Sequence, residues 1–74
     1  MEEIEIENRV RAARTEKGLT QQDLADAVGV TRQTIGLIEA DNYNPTIRLC
    51  LLLARELNRN LDDLFRMGGN NGKA

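Results

Sequence analysis

Apolar residues recur at helical spacing from Val10 to Phe65, in short runs broken by Gly, Asn, Asp and a single Pro. The stretch Thr20 to Glu39, TQQDLADAVGVTRQTIGLIE, organises the rest. Thr20 stands before an apolar pattern, with Asp23 three residues on. That spacing predicts a capping box, in which the hydroxyl takes an orphan amide and the carboxylate reaches back to the threonine N–H. Leu24, Ala25 and Val28 then share one helical face. Gly29 is placed to end that helix at positive φ. Thr31 is a second N-cap. Behind it, Ile35 and Ile38 lie three apart on one side, which turns Arg32, Gln33 and Gly36 largely elsewhere. Two helices of about eight residues joined by a tight turn match a helix-turn-helix unit.

The flanks follow the same reading. Asn8 to Glu16 predicts a first helix with Val10, Ala13 and Arg14 inward, closed by Lys17 and Gly18, and Leu19 bridges into the core. Ala40 to Pro45 predicts a loop. Pro45 keeps the chain extended before a fourth helix over Thr46 to Leu57. Its expected inward stripe is Ile47, Cys50, Ala54 and Leu57, with Leu51 beside it. Cys50 reads as a small buried hydrophobe. Leu49, Leu52 and Leu53 carry the apolar surface beyond one face, so a second copy of the chain is the economical cover. Asn58 is expected to end this helix left-handed. Asn60 with Asp63 reads as another capping box, opening a fifth helix with Leu61, Leu64 and Phe65 inward. At the N-terminus Ile4 and Ile6 alternate with acids. A short strand and a frayed lead into the first helix compete there, and a strand would need a partner. The organisation expected is an arm or strand over 1–7, a helical domain over 8–66 and a flexible Gly- and Asn-rich tail over 67–74.

Composition narrows the function. Seventy-four residues make one domain, and small domains gain from dimerisation. The chain has no histidine and one cysteine, which excludes a His-based zinc site and an intrachain disulfide and suits a reducing, cytoplasmic compartment. No apolar run is long enough for a membrane span, and no secretory signal is visible. The net charge of −2 argues mildly against nucleic acid, but Glu2, Glu3, Glu5 and Glu7 account for it. Arg9 to Arg66 carries nine basic and eight acidic residues, so DNA binding would rest on a local basic face. There is no histidine base, no activated nucleophile and no Gly-rich phosphate loop after a strand. Asp62 and Asp63 are adjacent but not opposed. A non-enzyme without cofactor or metal is expected.

The combined string also carries a resemblance. Leu19 to Gln21, Val28 to Ile35, Ile38 to Glu39 and Tyr43 to Pro45 resemble the small phage-repressor class of helix-turn-helix regulators, the Cro/C1-type or Xre family. Ala25, Gly29, Ile35 and Ile38 stand where that family has a small residue, the turn glycine and branched apolar residues. The likeness spans roughly Asn8 to Arg66. It implies an all-α, compact five-helix lambda-repressor-like domain, in some relatives with an N-terminal strand. Ala40-Asp41 departs from the family's Asn-Gly, although Asp tolerates positive φ better than most residues.

Function follows from the motif and the resemblance together. A recognition helix places its first residues on base edges in the major groove of double-stranded DNA. Here these are Thr31, Arg32, Gln33 and Thr34, with Gly36 allowing close approach. Arg32 can donate twice to guanine, and Gln33 can pair with adenine. The resemblance makes Arg32 and Gln33 the leading readers. It also implies a phosphate role for Gln21 at a helix N-terminus, helped by Gln22, and backbone contacts from Asn42, Tyr43 and Asn44. Tyr43 can alternatively be an edge aromatic of the core. Arg9 is a further phosphate candidate. Arg14 and Glu39 are implied as a partly buried ion pair. Leu49, Leu52 and Leu53 are the expected dimerisation residues. The expectation is a homodimeric repressor on a pseudo-palindromic operator, with no domain to sense a small-molecule effector. A protein-interaction module and an antitoxin or restriction-modification controller are the alternatives.

Overall fold

A computed structural model describes residues 5–68. Its elements are β1 (Ile6–Asn8), α1 (Val10–Glu16), α2 (Gln21–Val28), α3 (Arg32–Glu39), α4 (Ile47–Leu57), α5 (Leu61–Leu64) and β2 (Phe65–Met67). Five helices thus enclose the core, and a short hairpin joins the two ends of the described chain.

Local chemistry explains the boundaries. The Thr20 hydroxyl accepts from the Asp23 N–H, and the Asp23 carboxylate accepts from the Thr20 N–H, both at 2.9 Å. Thr31 caps α3 and Thr46 caps α4 through the N–H groups of Thr34 and Leu49. The first four helices are each followed by a residue at positive φ: Gly18, Gly29, Asp41 and Asn58. At α3 this closes a Schellman turn, since the N–H groups of Asp41 and Asn42 donate to the carbonyls of Ile38 and Leu37 at 3.0 and 2.8 Å. Asp41, at φ 64°, does here what the family's glycine does. Asn60 departs from expectation. It occupies the N-cap position of α5, but its side chain makes no cap bond. The turn is closed instead by the Asp63 N–H on the Asn60 carbonyl.

The strand reading of the N-terminus is the one that forms. β1 pairs antiparallel with β2, with Ile6 opposite Met67, Glu7 opposite Arg66 and Asn8 opposite Phe65. Glu7 and Arg66 face each other at 3.8 Å, as opposed residues of unlike charge should. Met67, assigned above to the tail, is therefore a strand residue. Gly68 continues the approach: its N–H donates to the Glu5 carbonyl, and a Cβ there would stand 2.7 Å from Glu5 Cβ. Ile4 and residues 69–74 lie outside the described part. Helix α1 starts at Val10, two residues later than the periodicity predicts, because Asn8 belongs to β1.

The core is built from Val10, Ala13, Leu24, Ala25, Val28, Ile35, Ile38, Leu49, Leu53, Ala54, Leu57 and Leu64. α2 packs on both α3 and α4. The inward face of α4 corrects the predicted one. Leu49 and Leu53 are core residues, whereas Ile47 is 67% and Leu51 53% exposed. Leu49 and Leu53 are thus spent inside the monomer and cannot form a docking surface; of the three leucines expected there, only Leu52 reaches the surface, half-buried. Ala54 and Leu57 hold their predicted places. Cys50 is half-buried, and burial pushes its thiol above the usual value.

Candidate nucleic-acid interface

Helix α3 presents the face that matters. Ile35 and Ile38 are buried against the core, which fixes the rotation of the helix. On the outside, Arg32 and Gln33 are exposed and take part in no side-chain hydrogen bond or ion pair among the described residues. A guanidinium and an amide therefore stand on the first turn with their polar atoms available. The two threonines are engaged with each other. Thr31 Oγ1 accepts the Thr34 N–H at 3.1 Å, and the two hydroxyls lie 3.0 Å apart. The Thr34 hydroxyl is thus part of the cap, and its methyl is the group left for an apolar contact.

One residue of this face escapes a motif-based reading. Leu37 is 37% exposed, one turn beyond Gln33 and opposite Ile35 and Ile38. An exposed leucine among polar groups matches what a thymine methyl needs. Its signal was available, since Gln33 and Leu37 are four apart on one helix. Gly36 lies beside this face. A Cβ built there meets only Gln21 Nε2, at 3.8 Å. Packing within the domain would therefore accept alanine at this position.

The far end of α3 is locked by charge. The Glu39 side chain has no exposed surface, and the Arg14 side chain only 11%. Arg14 Nε donates to Glu39 Oε2 at 2.7 Å, and Arg14 Nη2 to Oε1 at 3.3 Å. The remaining Arg14 nitrogen, Nη1, donates to the Leu19 carbonyl at 2.7 Å. Gln21 Nε2 donates to Glu39 Oε1 at 3.1 Å. One carboxylate thus ties α1, α2 and α3 together. Burial alone raises the Glu39 carboxyl, but the bonds from Arg14 and Gln21, the Arg14 charge and the Arg11 bond outweigh it and hold the group below its ordinary value. Such a buried charge is tolerated because both carboxylate oxygens find donors, Oε1 three and Oε2 one.

The phosphate candidates divide. Gln21 sits at the start of α2 against Gly36 and Glu39, adjoining α3. Gln22 is exposed one residue on and bonds Asp26 at 2.8 Å. Asn42, Tyr43 and Asn44 are all exposed in the loop after α3, Tyr43 to 43%. Asn44 lies toward the hairpin with Glu5, Ile6 and Asp41. Arg9 is not brought together with the others. It pairs with Glu7 at 3.4 Å and lines a cleft with Glu16 and Arg59 on the opposite side of α1. Arg11, to which the sequence reading gives no role, is the exposed arginine of α1 beside α3: its side chain is 67% exposed and approaches Glu39 at 3.4 Å. The clue is its spacing, three residues before Arg14 on one helical face.

Among the described residues no group of His, Cys, Asp and Glu is arranged to hold a metal ion, and no helix is long and apolar enough to cross a membrane.

Comparison with known proteins agrees with this geometry. The helix-turn-helix family model matches residues 10–64. An uncharacterized HTH-type transcriptional regulator of Archaeoglobus fulgidus is 43% identical over 60 residues, covering 81% of this chain and 86% of that protein. Another, of Methanothermobacter thermautotrophicus, is 47% identical over 57 residues, covering 76% and 83%. The crystal structure of the restriction-modification controller protein C.AhdI from Aeromonas hydrophila superposes with a TM-score of 0.73 at 37% identity, covering 77% of this chain and 86% of that one. The chain belongs to the helix-turn-helix family and is a DNA-binding transcriptional regulator that resembles its Cro/C1-like phage and controller members.

Proposed function

We propose that the protein is a sequence-specific regulator that binds double-stranded DNA as a homodimer, with α3 in the major groove, and represses by occluding a pseudo-palindromic operator. The observation that carries this reading is the pairing of Arg32 and Gln33, exposed and without partners among the described residues, with a helix end locked by Glu39. A reader needs both free edges and a fixed angle. Arg32 and Gln33 read bases, Leu37 meets a thymine methyl, and Gly36 keeps the helix surface low. Gln21, Gln22 and the N-terminus of α2, with Arg11 and the Asn42–Asn44 loop, hold phosphates.

One such domain spans too few bases for strong selectivity, so two copies read half-sites about 34 Å apart. The surface that supports pairing is not the one the leucine count predicts. It is the outer face of α4, where Ile47, Leu51 and Leu52 lie between Arg48 and Arg55. Beside it runs an apolar groove lined by Pro45, Cys50, Leu61 and Phe65, with Asp62 at its rim. An exposed apolar patch flanked by Arg48 and Arg55, beside a groove with Asp62 at its rim, offers a two-fold-related copy both apolar cover and opposite charge.

A second reading, a module that binds another protein, draws on the same apolar face and the near-neutral charge. The likeness to a controller protein also leaves a controller role, which the neighbouring genes would reveal. Substitution separates the two classes. R32A and Q33A should each lower affinity for a selected duplex by about 1–3 kcal/mol and relax selectivity at one base pair. Filter binding or fluorescence anisotropy reads this. Equal affinity in the parent and both variants would sink the groove-reading assignment.

A further inference from the structure

Helix α3 carries a second clamp at its C-terminal end, independent of Glu39. Asn8 Nδ2 donates to the Ile38 carbonyl at 2.6 Å and lies 3.4 Å from Asp41 Oδ1. The same side chain accepts the Val10 N–H on Oδ1 at 2.9 Å. Asn8 is also the last residue of β1, paired with Phe65 of β2. One short amide therefore joins the terminal hairpin, the start of α1 and the end of α3. Only an amide suits this place, since it needs a donor and an acceptor on one small planar group. Asp offers acceptors alone, and Ser is too short to serve both sites.

The bond to Ile38 is not needed for capping. That carbonyl already accepts the Asp41 N–H in the Schellman turn, so removing Asn8 orphans no buried group there. What the bond adds is direction: it holds the end of α3 against the hairpin. We propose that Asn8 is a positioning residue for sequence readout, which ties the angle of α3 on DNA to the terminal hairpin. This rests on the groove-reading function proposed above. Asn8 touches no base. It acts through the backbone of the helix that carries Arg32, Gln33 and Leu37.

The test uses the full chain, a duplex selected by the parent protein and a scrambled duplex of equal length. N8D keeps an acceptor for Val10 and replaces the donor by a second acceptor facing the Ile38 carbonyl and Asp41. Its ratio of specific to non-specific affinity should fall about tenfold, the size of losing one base contact. Thermal melting should fall by only a few degrees, because the site is part-buried and the facing oxygens can separate toward water. N8D/D41N restores the net charge without restoring the Ile38 bond, and Asn tolerates the positive φ of position 41. It should show the same loss of selectivity, and recovery to the parental ratio would overturn the proposal in favour of a charge effect. An unchanged ratio in N8D with a selective parent overturns this inference alone. A parent without selectivity overturns the groove-reading function, and this inference with it. N8S guards against a folding defect: if N8D and N8S both melt far below the parent, Asn8 is a folding residue and the positioning role is wrong.

Discussion

Helices α3 and α4 expose opposite kinds of surface. α3 shows Arg32, Gln33 and one leucine, and its end is held by polar bonds to Arg14, Gln21 and Asn8. α4 shows Ile47 and Leu51 and is held by Leu49, Leu53 and Leu57 in the core. The first surface keeps its hydrogen-bonding edges for a polar partner. The second gains by losing water to an apolar one. Orientation is controlled differently too. Packing sets the rotation of both helices, but α3 adds directional bonds at its C-terminal end, whereas α4 relies on packing alone along its inward face. The proposed reading of DNA by α3 and pairing through α4 would use these two surfaces separately.

The comparison breaks first at the polar lock. E39A removes the carboxylate that pairs the nearly buried Arg14, and it should cost about 3 kcal/mol, seen as a Tm lower by more than about 10 °C. A loss below about 0.5 kcal/mol would mean that packing alone orients α3. On α4 the contrast is between neighbours. L53A should cost about 3 kcal/mol by leaving a cavity. L51E, on the outer face, should change monomer stability by less than about 0.5 kcal/mol yet abolish the dimer in light scattering. A dimer that survives L51E would move the pairing surface elsewhere.

A smaller effect comes from pH. The folded Glu39 carboxyl titrates below its ordinary value of 4.5, so the unfolded chain takes up the proton first. Its stabilisation is complete above that ordinary value and is lost as pH falls through the lower, folded one. Urea midpoints should therefore be flat from about pH 7 to 5 and decline below, following those pKa values. E39Q should flatten part of that decline. Asp23, whose carboxyl is also lowered, by the Thr20 backbone N–H and then its hydroxyl, contributes in the same direction. The smallest change sharpens the account of the DNA face. G36A should raise stability by about 0.5–1 kcal/mol, because alanine favours a helix and fits beside Gln21. It should nevertheless weaken DNA binding, since the new methyl stands on the groove side. Tighter binding with higher stability would place Gly36 away from the DNA.

Much of this architecture is legible in the chain because its signals are local. Thr20 with Asp23, Thr31, Gly29 and Asn58 each act within one turn of their partners, so spacing alone reveals them. α3 holds two isoleucines among mostly polar residues, which leaves one inward rotation. α4 is apolar almost all round, so several rotations look alike. The stripe through Ile47 and Cys50 and the true one through Leu49 and Leu53 differ by roughly half the 100° between successive residues. Tertiary contact decides between them. The hairpin is less legible, because Ile6 and Met67 lie near opposite ends of the described chain. The role of Asn8 was hidden for the same reason: its partner Ile38 is thirty residues away. Arg11 and Leu37 are a different case. Neither belongs to a motif, and only their helical spacing from Arg14 and Gln33 marks them.

Selection of bound duplexes from a random pool, at two salt concentrations, decides whether the domain reads DNA by sequence. An inverted repeat should be enriched, with half-sites about one helical turn apart and an affinity that falls as salt rises. A pool that returns unenriched, with weak binding or none at either salt, would contradict sequence-specific binding and turn the search to a protein partner on the outer face of α4.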